Sequence, residues 1–217
     1  MGKRGLVLGI GINDADYPVQ VNESVWENGV KKLKVKWRCP YYRVWVNMLQ
    51  RSYSEKEKKK NKRYENAEVR EEWIYFSCFK AWMETQDWEG KELDKDILVE
   101  GNLIYGPDTC LFVDKNINVL FKSSSSVRGE YPLGVTLHKR TKLFHSRTMH
   151  NGKVVYCGIF EDPWLAHRAY QKTKISLLAS LIEDGKENLD SRILDALRRK
   201  MEKIQNDYEK GLETFDF

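Results

Sequence analysis

The 217-residue chain contains no run of apolar residues long enough to cross a bilayer, and with 32% charged residues none could be assembled from its parts, so a transmembrane class is excluded. Its four cysteines, Cys39, Cys78, Cys110 and Cys157, form no C-x-x-C pair, which argues against a zinc ribbon, a redox dithiol or a disulfide framework. No histidine precedes His138, so the first half offers no imidazole for catalysis or metal binding. No carboxylate stands between Glu130 and Glu161. The basic start, Met1-Gly2-Lys3-Arg4, leads into an apolar stretch too short for a secretory signal, and Leu6 stands where acylation of Gly2 would need Ser or Thr; the expectation is a cytoplasmic protein with no lipid anchor.

What is present is positive charge in two islands. From Arg51 to Arg63, seven bases face two carboxylates; from Lys122 to Lys153, seven bases face Glu130 alone. The net charge of the whole chain is +5, so each island holds as much excess as the entire molecule. Concentrated cations suit a polyanion, because each phosphate neutralised releases condensed counterions. The first island also fits a solvated charged face.

Along the chain, residues 1–36 form an irregular or two-stranded lead-in. Gly9-Ile10-Gly11 has the look of a phosphate loop, but Asp14 occupies the place of the third glycine and no βαβ unit follows. Residues 37–122 carry helical segments, Tyr41 to Leu49 and Trp73 to Trp82, whose aromatics are expected in a core, then short strands around Leu93 and Leu111–Val113 and a helix through Asn116 and Asn118 to Phe121. The serine run in 123–129 marks a linker. In 130–184 three strands are predicted, Leu133 to His138, Leu143 to Met149 and Val154 to Phe160, with Asn151-Gly152 as a hairpin signal, followed by a helix capped by Asp162 and started by Pro163. Within 185–217 a last helix spans about Leu189 to Tyr208, with Ile193, Leu197, Met201, Ile204 and Tyr208 as its apolar stripe, for packing back or for dimerisation. The fold class is α+β.

Gly134-Val135, Phe144 with Ser146, Asn151-Gly152-Lys153, Tyr156-Cys157-Gly158-Ile159-Phe160, Ala166 and Ala169-Tyr170 together resemble the plant ethylene-response-factor (Apetala-type) DNA-binding domain, which also occurs fused to phage and mobile-element nucleases. The resemblance covers about 50 residues and implies a three-stranded sheet that lays its exposed face in the major groove. Alternation puts His145, Arg147 and Met149 on one face of the middle strand and Phe144, Ser146 and Thr148 on the other; Val154 and Tyr156 oppose Val155, Cys157 and Ile159 on the third. Thr136 and His138 join the outward set. Arg147 is the expected base reader, Lys139, Arg140, Lys142 and Lys153 the expected phosphate contacts, and Tyr156 and His145 could also stack on the unpaired bases of RNA.

Leu93-Asp94-Lys95-Asp96, Gly101-Asn102, Tyr105, Pro107, Cys110, Phe112-Val113 and Asn116 to Asn118 resemble a degenerate HNH (ββα-metal) module of phage-encoded homing-type endonucleases. The resemblance implies Asp94 as a Mg²⁺ ligand, Lys95 at the general-base position where the active motif has histidine, Asp96 as a substitute base, and Asn118 or Asn116 as a second metal ligand. Asp94 and Asp96 could equally be turn or cap residues of an inactive scaffold. The expectation is a phage-type duplex DNA-binding protein, cytoplasmic in an infected bacterial host, with an impaired nuclease module. An active Mg-dependent nickase, or a host-takeover factor binding a host protein, are the alternatives.

Overall fold

A computed structural model describes residues 5–121 and 129–215. The chain divides into two units, Met1–Val113 and Asp114–Phe217. The predicted serine linker lies, apart from Gly129, outside the described residues, and the boundary falls ahead of it, so the helix through Asn118 goes with the second unit.

The first unit opens with a tight turn in which the amides of Gly11 and Val7 exchange hydrogen bonds, and Leu8 and Gly9 both take positive φ. Gly11 lies against Trp45 and Leu49, where an added Cβ would come within 2.4 Å of Leu49 Cδ1. The Gly-x-Gly motif therefore packs on a helix and cradles no phosphate. A hairpin follows, β1 (Gln20–Glu27) and β2 (Val30–Arg38), joined by Asn28-Gly29 with φ of 51° and 76°. Both central residues are left-handed, the geometry that matches strand twist in a two-residue turn.

Two helices carry the core: α1 (Pro40–Tyr53), begun by its proline, and α3 (Phe76–Glu84), with the short α2 (Glu55–Lys60) between them. Trp45, Met48 and Leu49 from α1 meet Trp73, Phe76, Phe79 and Met83, all buried, as the helical spacing of the aromatics requires. Trp45 Nε1 donates to Trp73 O at 2.7 Å, satisfying the indole. Small pairings complete the unit: β3 (Glu68–Val69) runs parallel to β5 (Ile104–Tyr105), and β4 (Glu92–Asp94) antiparallel to β6 (Leu111–Val113).

The second unit begins with α4 (Lys115–Phe121) and then forms an antiparallel meander, β7 (Val135–Leu137), β8 (Phe144–His150) and β9 (Lys153–Phe160), in the order β7-β8-β9. Asn151-Gly152 makes the same left-handed pair as Asn28-Gly29, with φ of 48° and 72°. Asp162 Oδ1 accepts from Leu165 N at 2.8 Å and so caps α5 (Pro163–Gly185), which packs on all three strands through Ala166, Tyr170 and Lys174. The last helix, α6 (Ser191–Glu209), buries Ile193, Leu197 and Ile204 and packs back on α5, so its stripe is used within the chain.

A buried polar network ties the segment after α6 to α5. Nδ1 of His167 lies 2.9 Å from Leu133 O, and Nε2 accepts the Thr214 amide at 3.1 Å. A carbonyl partner on one nitrogen and an N–H on the other place the single proton of the neutral ring on Nδ1. Gln171 Nε2 donates to Leu212 O and Thr214 Oγ1, each at 3.0 Å, and Thr214 Oγ1 donates to Asp207 Oδ2.

Candidate nucleic-acid interface

The register of the meander decides which side chains share a face. Directly opposed residues lie on one side, so Thr136, His145 and Ile159 form one row, Arg147 and Tyr156 a second, and Met149 and Val154 a third. Val135, Ser146 and Gly158 form the row against α5, followed by Leu137, Phe144 and Phe160. Ser146 and Thr148 are buried while Arg147 and Met149 are exposed, as alternation on β8 requires. Ile159 corrects the expectation. Its pairing with His145 and its 59% exposure put it on the outward face, because β9 carries an extra residue, Cys157, between the partners of Ser146 and Arg147. Gly158, at φ 136°, supplies the backbone this bulge needs.

Most of the expected site residues gather on one surface: Thr136, His138, Arg147 and Tyr156 are exposed there and His145 is half-buried, with Tyr156 at 74% exposure. Lys153 corrects the expectation: it is exposed, but it pairs with His150, in the series of Ser146 and Thr148, and so leaves its strand on the α5 side. The His138 and His145 rings stack almost in parallel, 8° apart in plane with centroids at 5.0 Å. His138 Nδ1 lies 2.8 Å from Thr141 Oγ1 and accepts the Thr141 amide, which shapes the turn between β7 and β8. That turn holds Lys139, Arg140 and Lys142, all exposed, with Lys142 at φ 59°.

At the opposite end, roughly 20 Å away along the seven residues of β8, lies the Asn151-Gly152 turn. Arg147 lies midway. With no carboxylate from Tyr131 to Phe160, no acidic side chain of these strands offsets the cations. Met149, Val154 and Ile159 add apolar area between the charges, with exposures of 45%, 45% and 59%. Because β7 is shorter than β8, a recess of about 800 Å³ opens beside the β8 edge, walled by Tyr131, Pro132, Thr136, Arg147 and Met149.

The first basic island is divided. Lys56, Lys59, Lys60, Lys62 and Arg63 are exposed on and after α2. Arg51 is not part of that surface: its guanidinium donates to Leu93 O at 3.3 Å and hydrogen-bonds Tyr105, so it braces the interior.

Around Asp94 the geometry is that of a capped loop. Asp94 Oδ1 accepts the amides of Asp96 and Ile97 at 2.8 and 2.9 Å, and burial raises its carboxyl above the usual range. Lys95, buried, donates from Nζ to Asp96 Oδ1 at 2.6 Å and to Asn102 O, and sits 5.9 Å from the Tyr105 ring centre. Asn102 closes the loop, donating to Lys95 O and Ile104 O at 2.8 Å each. Burial also pushes the Cys110 thiol up to about 12, so it stays protonated.

This donor set does not fit a divalent cation. One Asp94 oxygen is held by two amides, an ammonium lies in the adjoining position, and among the described residues no group of three or more His, Cys, Asp or Glu gathers as a metal site. Asn116 and Asn118 stand on α4 of the second unit. No catalytic step is assigned to these residues.

Comparison with protein-family models, curated proteins and solved structures returned no match to this chain. Sequence reading missed the apolar share of the outward face contributed by Ile159; the signal available for it was Gly158 inside a strand.

Proposed function

We propose that the second unit binds duplex DNA through the outward face of the β7-β8-β9 sheet. The observation that carries this reading is one carboxylate-free strand surface with Arg147 at its centre and the cationic turn of Lys139, Arg140 and Lys142 at one end. The major groove is about 12 Å wide, so strands lying in it bring that turn against a flanking phosphate ridge. Arg147 offers its fork to the O6 and N7 of guanine, while Met149 and Val154 suit thymine methyl groups. The resemblance to the ethylene-response-factor domain supports the same face. The first unit, on this reading, is an HNH-derived scaffold in which Asp94 organises a loop.

The test is fluorescence anisotropy of labelled random duplex DNA across a salt series. The three cations of the turn give the sheet a contribution of about -2.7 to the slope of log affinity against log salt, on about 0.9 per contact. Lys142→Ala should reduce its magnitude by about 0.9. Arg147→Ala should flatten preference among selected sequences by about 1–3 kcal/mol at one base pair. Unaltered affinity and slope in the Lys142→Ala/Arg147→Ala double variant would refute the face.

A further inference from the structure

Among the described residues of its unit, none of the core packs against the β1–β2 ribbon. No residue from Gln20 to Arg38 belongs to the core of its unit, all nine residues of β2 are exposed, and Trp26 and Leu33 are 71% and 74% exposed. A lone two-stranded hairpin is marginal in water, so one that presents large apolar side chains on an uncovered surface calls for an explanation.

Register supplies it. β2 contains one extra residue, Lys36, opposite the Val21–Asn22 step, and this reverses the alternation beyond it. One face then holds Trp26 beside Lys31, Ser24 beside Leu33, and Asn22 beside Val35, continued by Gln20 beside Arg38. It contains no carboxylate. The other face holds both acids of the ribbon, Glu23 and Glu27, and each is paired there: Glu27 with Lys32 and Lys34, Glu23 with Lys36 at 3.9 Å. The pairs pull the Glu27 carboxyl below the usual carboxylate range. The ribbon therefore sorts its charge and not its apolar residues: the neutralised pairs lie with Val21, Val30 and Trp37 on one side, and Lys31 and Arg38 with Trp26, Leu33, Val35 and amides on the other.

We infer that this ribbon is a second nucleic-acid contact, entering a groove of duplex DNA with the Trp26–Leu33–Val35 face against the bases and Lys31 and Arg38 at the phosphates. Charge complementarity is the first argument: the proposed face carries two bases, Lys31 and Arg38, and no carboxylate, both acids of the ribbon being paired with Lys32, Lys34 and Lys36 on the opposite face. Shape is the second. Two strands about 4.8 Å apart fit the width of the major groove, and exposure on both sides is what a groove-filling element requires.

This inference rests on the DNA-binding reading of the sheet, and the experiment separates the two. Anisotropy on the full chain compares wild type, Lys31→Ala/Arg38→Ala and Trp26→Ala/Leu33→Ala with the Lys142→Ala sheet variant. All the ribbon substitutions are at exposed positions, and circular dichroism checks the fold. The Lys31/Arg38 double variant should lower the salt slope by about 1.8, in addition to the sheet effect, and weaken binding tens of fold at 0.1 M salt. Trp26→Ala/Leu33→Ala should weaken binding at every salt concentration without changing the slope. Ribbon variants that bind like wild type while the sheet variant is impaired overturn this inference alone. A chain that binds no duplex DNA overturns the sheet reading as well. Loss of self-association in the Trp26/Leu33 variant, seen by sedimentation with DNA binding intact, assigns the face to a second copy and also overturns it.

Discussion

Gly134→Ala should disable the second unit through one ring. Gly134 has φ +81°, and a Cβ built on it would lie 2.1 Å from Tyr170 Cδ2 and 2.4 Å from Cγ. Tyr170 is buried under the sheet, with its hydroxyl at Thr148, so the ring cannot swing aside without breaking the packing of α5. Left-handed backbone costs an alanine about 1 kcal/mol, and overpacking a tight interior about 1–3 kcal/mol. The expected destabilisation is about 2–4 kcal/mol, a large part of the margin of a domain this size. Gly134 O also accepts the Arg147 amide at 2.9 Å, so displacement here moves the proposed base reader. Urea unfolding followed by circular dichroism gives the magnitude, and hydrogen exchange locates the loss to β7, β8 and α5. In a double-mutant cycle with Tyr170→Leu, the two costs should fall short of additive by about 1–2 kcal/mol, because removing the ring relieves the clash and leaves only the backbone strain. Strict additivity, or a cost below about 0.5 kcal/mol, would refute the reasoning.

Two further outcomes follow from buried charge. Burial pushes Lys174 down to about 8 from 10.5, so below pH 8 the folded state carries a buried ammonium that the unfolded state keeps in water. The unfolded chain binds more protons between pH 8 and 10.5, so this penalty, about 3 kcal/mol at neutral pH, is relieved as pH rises through that window. Lys174→Met should raise stability at pH 7, with the gain vanishing near pH 10.5 in parallel urea titrations; a pH-independent difference would contradict it. Asp94→Asn keeps an oxygen for the Asp96 and Ile97 amides and should leave stability unchanged or slightly higher at pH 7, whereas Asp94→Ala should lose about 1–3 kcal/mol. Plasmid nicking in Mg²⁺ that wild type performs and Asp94→Asn does not would overturn the loop-capping assignment.

Local chemistry made much of the second unit legible. Asn151-Gly152 announced its turn, Asp162 its cap, and the alternation on β8 its two faces, because each is set within a few residues. Asn28-Gly29 carries the same signature, and it decides between the irregular and the two-stranded form of the lead-in in favour of two strands. The remainder depended on distant partners. Arg51 reads as surface charge until Leu93 and Tyr105 come beside it, and His167 and Gln171 read as polar helix residues until the chain returns with Thr214. The single extra residues, Lys36 and Cys157, are invisible to a strict period of two, and each reassigns a large apolar side chain, Trp37 and Ile159, to the other face.

The lysines of β2 have a consequence apart from any ligand. An uncovered ribbon offers two rows of backbone amides and carbonyls to any passing strand, the usual beginning of sheet growth into aggregates. With Lys31, Lys32, Lys34, Lys36 and Arg38 among its nine residues, β2 repels a like copy approaching that border, which works against this route to aggregation.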